Sequence, residues 1–165
     1  MTLPAPLSAG PPQPYTLIHF TNRHREIRMR FQEGYVCGHR LPAFHQALQW
    51  STDHQIQFIE NVWLGLGFGQ LVITLHPENP ELSRLVIDGQ HRLTALHNYL
   101  ENEFPVFGKH WRDLEISEQM RFEGIPVPTV VLSQDHELLE ENLRSIYERL
   151  NFTRTETGIQ PEQQK

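Results

Sequence analysis

The run Asp88-Gly89-Gln90-His91-Arg92 sets a carboxylate, a glycine, an amide, an imidazole and a guanidinium side by side. Before it, Leu85, Val86 and Ile87 are consecutive apolar residues of strand type; after it, Leu93, Leu96 and Leu100 recur at helical spacing. The segment therefore reads as strand, tight turn, helix. That order gathers polar groups at a helix N-terminus, where unpaired backbone N–H groups and the positive end of the helix dipole favour an anion. Arg92 falls in the first turn and adds a bidentate phosphate donor, and Gly89 lets backbone approach a ligand closely. Two roles are open to Asp88: an N-cap accepting from the N–H of Gln90 or His91, or a ligand to a hard cation that accompanies a phosphate.

The elements that must hold this turn follow from the rest of the chain. Its 165 residues suit one domain, expected over residues 15–152. Met1 to Pro14 is rich in Pro, Gly, Ala and Ser and reads as a mobile arm or extended lead-in; residues 153–165 read as a polar tail. Tyr15 to Phe20 is expected as a short strand. The alternation of Ile27, Met29 and Phe31 with Arg28, Arg30 and Gln32 predicts a second, with Gly34 closing a hairpin. Ser51 or Thr52 caps a helix whose residues Ile56, Ile59, Val62, Trp63 and Leu66 share one face, and the glycines from Gly65 to Gly69 end it. That glycine run follows a helix, so it is a C-cap and turn and not a nucleotide fingerprint. Leu71 to Leu75 is the next strand, and Arg84 to Ile87 is the strand that delivers Asp88. Ser117 is expected to cap a short helix to Phe122. Ile125 to Leu132 is expected as an edge strand, because Pro126 and Pro128 remove ladder donors. Asp135 starts a last helix with Leu138, Leu139, Leu143, Ile146, Tyr147 and Leu150 as its buried stripe.

Other chemistries find little support. A formal charge of −6 argues against a broad basic surface for tight duplex binding. The one dense basic patch, Arg23, Arg25, Arg28 and Arg30, offers a local nucleic-acid or partner contact, although a solvated hairpin face accounts for it more simply. One cysteine, Cys37, excludes an internal disulfide and a cysteine-rich zinc site. His91, His97 and His110 lack the close spacings of a catalytic zinc site and are read as surface or capping residues, so no zinc is expected. Ser83, Thr94 and Ser117 have no nucleophile-elbow context. Cys37 reads as an inert small side chain, even with His39 and Arg40 nearby. Trp50, Trp63 and Trp111 are able to stack a base; for Trp63 core packing is the better account. With no signal peptide or long apolar run, the expectation is an intracellular, cytoplasmic protein with no membrane span.

Three separate stretches coincide with one family pattern. Asp88-Gly89-Gln90-His91-Arg92-Leu93-Thr94 resembles the Asp-Gly-Gln-Gln-Arg-Leu-Thr motif of the domain forming the N-terminal half of GmrSD-type restriction enzymes, a domain placed in the ParB/sulfiredoxin-like superfamily. Leu41 to Trp50 is similar to its entry motif, Pro-x-Tyr-Gln-Arg-x-Tyr-x-Trp, and Tyr147 to Phe152 to its closing Tyr-x-Arg-Leu-Asn-Phe. The resemblance runs from about Gly38 to Gln163. It implies a small mixed α/β (α+β) domain, a mixed sheet with packed helices, that binds a nucleoside triphosphate and hydrolyses it to control a nuclease.

A chain ending at Lys165 leaves no room for a His-Asn-His nuclease half, so any cleavage of DNA is expected from a partner or from the domain itself. Small members of this kind resemble proteins carried by phages and mobile elements.

On this resemblance the phosphates fall to Gly89, Arg92 and Thr94, with Asn151 as a polar contact to nucleotide or metal. Asp88 orients Mg²⁺ or water, and Gln90 or His91 positions the attacking water, making Asp88, Gln90 and His91 the expected catalytic residues. The family's Gln-Arg falls on His45-Gln46, so a cation is lost for which Arg40 could substitute. Its Gly-Gly-Thr close becomes Thr153-Arg154-Thr155. These departures weaken hydrolysis more than binding. They keep open an alternative, a non-catalytic protein that sequesters a nucleotide signal, nucleic acid or host defence protein. Intrinsic nuclease activity is a weaker third reading. Sulfiredoxins place Gly-Cys-His-Arg at this turn; Gln90 stands where their thiolate would be, so that activity is not expected.

Overall fold

In a computed structural model of the chain, the residues described are 12–29, 34–45, 47, 50–76, 79–132 and 140–152. Strand β1 (Gln13–Thr16) leads directly into helix α1 (Leu17–Met29), and the two-residue strands β2 (Tyr35–Val36) and β3 (His39–Arg40) form a small antiparallel ribbon. Helix α2 (Thr52–Trp63) is followed by β4 (Leu71–Thr74), a single 3-10 turn at Pro80–Leu82, and β5 (Val86–Asp88). Then come α3 (Gln90–Leu100), a 3-10 turn at Trp111–Asp113, α4 (Ile116–Glu123), β6 (Pro126–Leu132) and α5 (Glu140–Phe152). Among the described residues the fold is mixed α+β, with five helices around a four-stranded mixed sheet of order β1-β6-β4-β5.

Alternation along the strands sorts their side chains to two faces. Leu71, Val86 and Val127 join the larger core with Phe20, Ile59, Leu93, Leu96, Tyr99 and Phe122, contributed by the first four helices. Val72, Ile87 and Leu132 join a second cluster with Leu143 and Tyr147 of α5. The sheet is thus covered on both faces, which is why all four residues of β4 are buried.

Four expectations are corrected. The hairpin proposed for residues 15–32 is instead β1 and helix α1, so Arg23, Arg25 and Arg28 lie on a helix; Arg30 falls outside the described residues. Leu17, Phe20, Thr21 and His24 are spaced as one helical face and are all buried. The pattern was concealed because two of the four are polar. Thr21 is satisfied by donating to Glu123 at 2.8 Å, and His24 sits 2.9 Å from Glu101.

The Ile125–Leu132 segment is not an edge. As β6 it lies between β1 and β4, antiparallel to one and parallel to the other. Its prolines are tolerated because β4 pairing begins only at Thr129, so Pro126 and Pro128 occupy a half that has β1 alone beside it. Leu66 is no part of the α2 stripe: the helix ends at Trp63, and Leu66 is 73% exposed. Finally, α4 is capped by a reciprocal box between Glu115 and Glu118, two residues before the expected Ser117.

Helices α2 and α3 and strands β4 and β5 lie where expected, with Ser51 accepting from the His54 N–H as the α2 cap, whereas the β2–β3 ribbon is not among the expected elements. Leu143 and Tyr147 are buried on α5, while Leu150 is exposed; Asp135, Leu138 and Leu139 fall outside the described residues. No helix among the described residues is long and apolar enough to cross a membrane.

Candidate functional site

Strand β5 delivers Asp88 to the turn while still paired with Val72 of β4, and Gly89 follows in the left-handed region at φ 96°. Gly89 is the N-cap of α3 and has no side chain to offer, so the helix starts without a side-chain cap. This corrects the N-cap role considered for Asp88. Its side-chain direction is set by the sheet, and its Oδ2 accepts from Arg92 Nη2 at 3.3 Å, one helical turn on. The glycine is demanded by packing as much as by φ. A Cβ at this position would run into Cδ2 of Leu71 and meet Arg92 Nη2 at 3.1 Å.

Arg92 is held from three sides. Besides Asp88, its Nη1 donates to the Phe68 carbonyl at 3.4 Å, and Gly69 backs directly onto the same nitrogen, where any Cβ would collide. The glycine run after α2 therefore does more than end a helix: Gly69 leaves the room that the Arg92 guanidinium occupies. About a fifth of the Asp88 side chain and slightly less of Arg92 remain exposed, so the pair faces solvent at one edge.

The other motif residues close around this turn. Trp50 stacks on His91, with ring centroids 5.6 Å apart and planes at 29°. His91 Nε2 is buried without a hydrogen-bond partner among the described residues. Burial, and then the positive charge of Arg92, lower the His91 pKa, so the ring is neutral at pH 7. Gln90 is buried and accepts from the Tyr147 hydroxyl at 3.3 Å, and Tyr147 in turn carries the edge of Phe44 at 5.3 Å. Asn151 Nδ2 donates to the carbonyls of Ile87 at 3.0 Å and Tyr147 at 2.8 Å, tying the end of α5 to the strand just before Asp88. Residues 44 and 50, 87–92 and 147–151, from three distant stretches, thus meet at one turn.

The Tyr147 contact makes a measurable link. Tyr147→Phe leaves a buried amide oxygen short of a donor, so unfolding free energy is expected to fall by about 1 kcal/mol. Chemical denaturation of the two proteins checks it; an unchanged midpoint would mean that the bond adds nothing.

Other expected site residues are placed differently. Arg40 does not reach the turn: its guanidinium donates to Glu81 at 2.6 Å and to the Pro80 carbonyl at 2.7 Å. Thr94 is half-buried on α3. Of the basic patch, Arg23 pairs with Glu26 at 3.1 Å, Arg25 with Glu123 at 2.7 Å and Arg28 with Glu101 at 3.6 Å. Each of these three cations thus has an acid beside it. Gln46, Thr153 and Arg154 fall outside the described residues.

Sequence reasoning missed Phe68, Gly69 and Leu71 as parts of the site. Their signal was the glycine at position 69, two residues before a strand, which marks close backbone approach as well as a turn.

Among protein families, the one described as GmrSD restriction endonuclease, N-terminal domain, matches residues 25–160. Comparison with curated proteins and with solved structures gives no match.

Proposed function

The chain belongs to the GmrSD restriction endonuclease N-terminal domain family, which ties it to restriction, and from that premise we propose that it is a nucleotide-binding domain acting in restriction or phage–host conflict. The reading assigns it magnesium-dependent triphosphatase activity. The observation that carries it is the convergence of the three motifs on a helix start that has no side-chain cap.

Phosphate oxygens accept from the backbone N–H groups at the start of α3 and from Arg92, whose guanidinium is already oriented. The uncapped α3 is eleven residues long, enough for a developed dipole. Mg²⁺ is commonly held by one or two carboxylates together with substrate phosphates, and the partly exposed Asp88 carboxylate would supply one of them. Asn151 supplies its side-chain oxygen, since its amide nitrogen is committed to Ile87 and Tyr147. The ion would polarise the phosphoryl group and neutralise its charge. On this reading His91, neutral and beside Arg92, would position the attacking water, with Gln90, which accepts from Tyr147, beside it.

Calorimetric titration with ATP, GTP, CTP and UTP, with and without magnesium, tests binding, and phosphate release tests turnover. Asp88→Asn keeps an oxygen for Arg92 and is expected to retain nucleotide binding within a few-fold while lowering turnover by about 10²–10⁴-fold. Full turnover in this variant sinks the catalytic assignment. The burial of Gln90 and the Asp88–Arg92 pair favour one further reading, a non-catalytic protein that captures a nucleotide signal. Magnesium-dependent binding with no phosphate release from the native protein would establish that reading in place of the first.

A further inference from the structure

Away from the Asp88–Arg92 turn, three metal-ligating side chains from three elements come together. His24 of α1, Cys37 in the turn between β2 and β3, and His97 of α3 present ligand atoms that all lie within 4.8 Å of one another. His24 and Cys37 are 7% and 1% exposed, and His97 is half-buried. The two imidazoles meet edge to face, with ring centroids 4.9 Å apart. Nε2 of His24 and Nδ1 of His97 are buried without a hydrogen-bond partner among the described residues. Glu101 Oε1 is 2.9 Å from His24 Nε2, an ion-pair distance off the line of a hydrogen bond.

The unpartnered Nδ1 of His97, beside a His24 Nε2 whose neighbour is the Glu101 carboxylate, calls for an explanation, because buried ring nitrogens are ordinarily satisfied. The backbone adds a second sign. Cys37 has φ 48°, a left-handed conformation that a non-glycine residue adopts at a cost. Its Cβ is thereby turned inward beneath α3, where the thiol lies 3.8 Å from the Leu93 carbonyl. Gly38 completes the turn with its Cα against Arg23, the neighbour of His24, and a Cβ there would sit 2.5 Å from Arg23 Cβ. The turn is pressed onto α1 at the point that presents the histidine.

We propose that His24, Cys37 and His97 bind a zinc ion, with the fourth position open to water on the side of Glu101. One thiolate and two imidazoles suit a borderline-soft ion and not magnesium. Zinc bonds of about 2.0–2.3 Å place ligand atoms roughly 3.3–3.6 Å apart in a tetrahedral shell, so the three side chains close by about an ångström around the ion. The Glu101 carboxylate, a quarter exposed, balances the charge that the ion brings into the core. Bound there, zinc pins α1 and the β2–β3 turn to the C-terminal half of the helix whose first turn holds Arg92.

The proton balance is simple. Burial raises the Cys37 thiol well above its usual range and lowers both imidazoles, so without metal the cluster is one thiol and two neutral rings. Binding forms the Zn–S bond and releases the thiol proton, one per ion, with no change of oxidation state.

The test uses the purified full chain, stripped with a chelator and titrated with Co²⁺, then Zn²⁺. One equivalent of Co²⁺ is expected to release one proton and to give the visible bands of a tetrahedral ion and a thiolate-to-cobalt charge-transfer band, both lost when Zn²⁺ displaces the cobalt without further proton release. The chain has a single cysteine, so that band reports Cys37 alone. Cys37→Ser is expected to abolish the band. His24→Gln and His97→Gln are each expected to weaken binding by about 100-fold or more, since even outer-shell partners are worth 10- to 100-fold. Circular dichroism shows which variants fold, and His97, the least buried of the three, is the position most tolerant of change. Absence of a charge-transfer band in the native protein, or equal affinity in both folded histidine variants, overturns the site.

Discussion

Arg92→Ala is expected to weaken triphosphate binding by about 10- to 150-fold, the equivalent of roughly 1.5–3 kcal/mol for a hydrogen bond to a charged group. The size of the effect follows from how the guanidinium is held. Phe68, Gly69 and Asp88 fix its plane before a ligand arrives, so little rotamer entropy is lost when phosphate binds. Alanine removes both the donor and the counter-charge of Asp88, leaving that carboxylate as a repulsive group at the phosphate site. Arg92→Lys separates the two contributions. It keeps a point charge but loses the planar fork, and its affinity is expected to fall between the other two proteins. Titration calorimetry at fixed ionic strength measures all three, and thermal melts confirm that each remains folded. Native affinity in Arg92→Ala would remove the phosphate from this turn.

The second large effect concerns stability. Gly89→Ala is expected to cost about 2–5 kcal/mol, combining a left-handed backbone penalty of roughly 1–2 with an overpacking cost of roughly 1–3 kcal/mol. The packing share arises because the new methyl group enters the space of Leu71 Cδ2 and presses on Arg92. Gly108→Ala serves as the reference. Gly108 has φ 77° with nothing within 4 Å of its would-be Cβ, so it incurs only the backbone penalty. Urea denaturation midpoints of the two variants should differ by the packing share. In Gly89→Ala/Leu71→Ala the smaller side chain makes room, and the double variant should be more stable than the sum of the single effects implies. Equal costs at positions 89 and 108 would show that Leu71 yields freely and that the tight fit is unimportant.

Together these substitutions ask whether one glycine serves the fold and the ligand at once. The sequence suggested that Gly89 opens backbone to a ligand; the structure fills its Cβ space with Leu71 and Arg92. Close approach is needed within the protein, and it is this that orients the arginine.

What the chain reveals without its tertiary structure is set by local periodicity. Helices α2 and α3 and strands β4 and β5 bury contiguous apolar residues at regular spacing, so their type and place are readable from Ile56 to Trp63, Leu71 to Thr74, Val86 to Ile87 and Leu93 to Leu100. The strand–turn–helix around Gly89 is local in the same sense, and the family, too, is legible from runs of adjacent residues such as Asp88 to Thr94. Where burial depends on a distant partner, the pattern gives no warning. Helix α1 hides Thr21 and His24 in its apolar face because Glu123, 102 residues beyond Thr21, and Glu101 receive them. The interior place of β6 depends on which half of it β4 touches, a matter of register and not of composition. Arg92 acquires its fixed plane from Phe68 and Gly69, and His24, Cys37 and His97 become one cluster only because α1, the β2–β3 turn and α3 pack together. Periodicity along a chain records which side of an element faces the core; only packing decides which functional groups the core brings face to face.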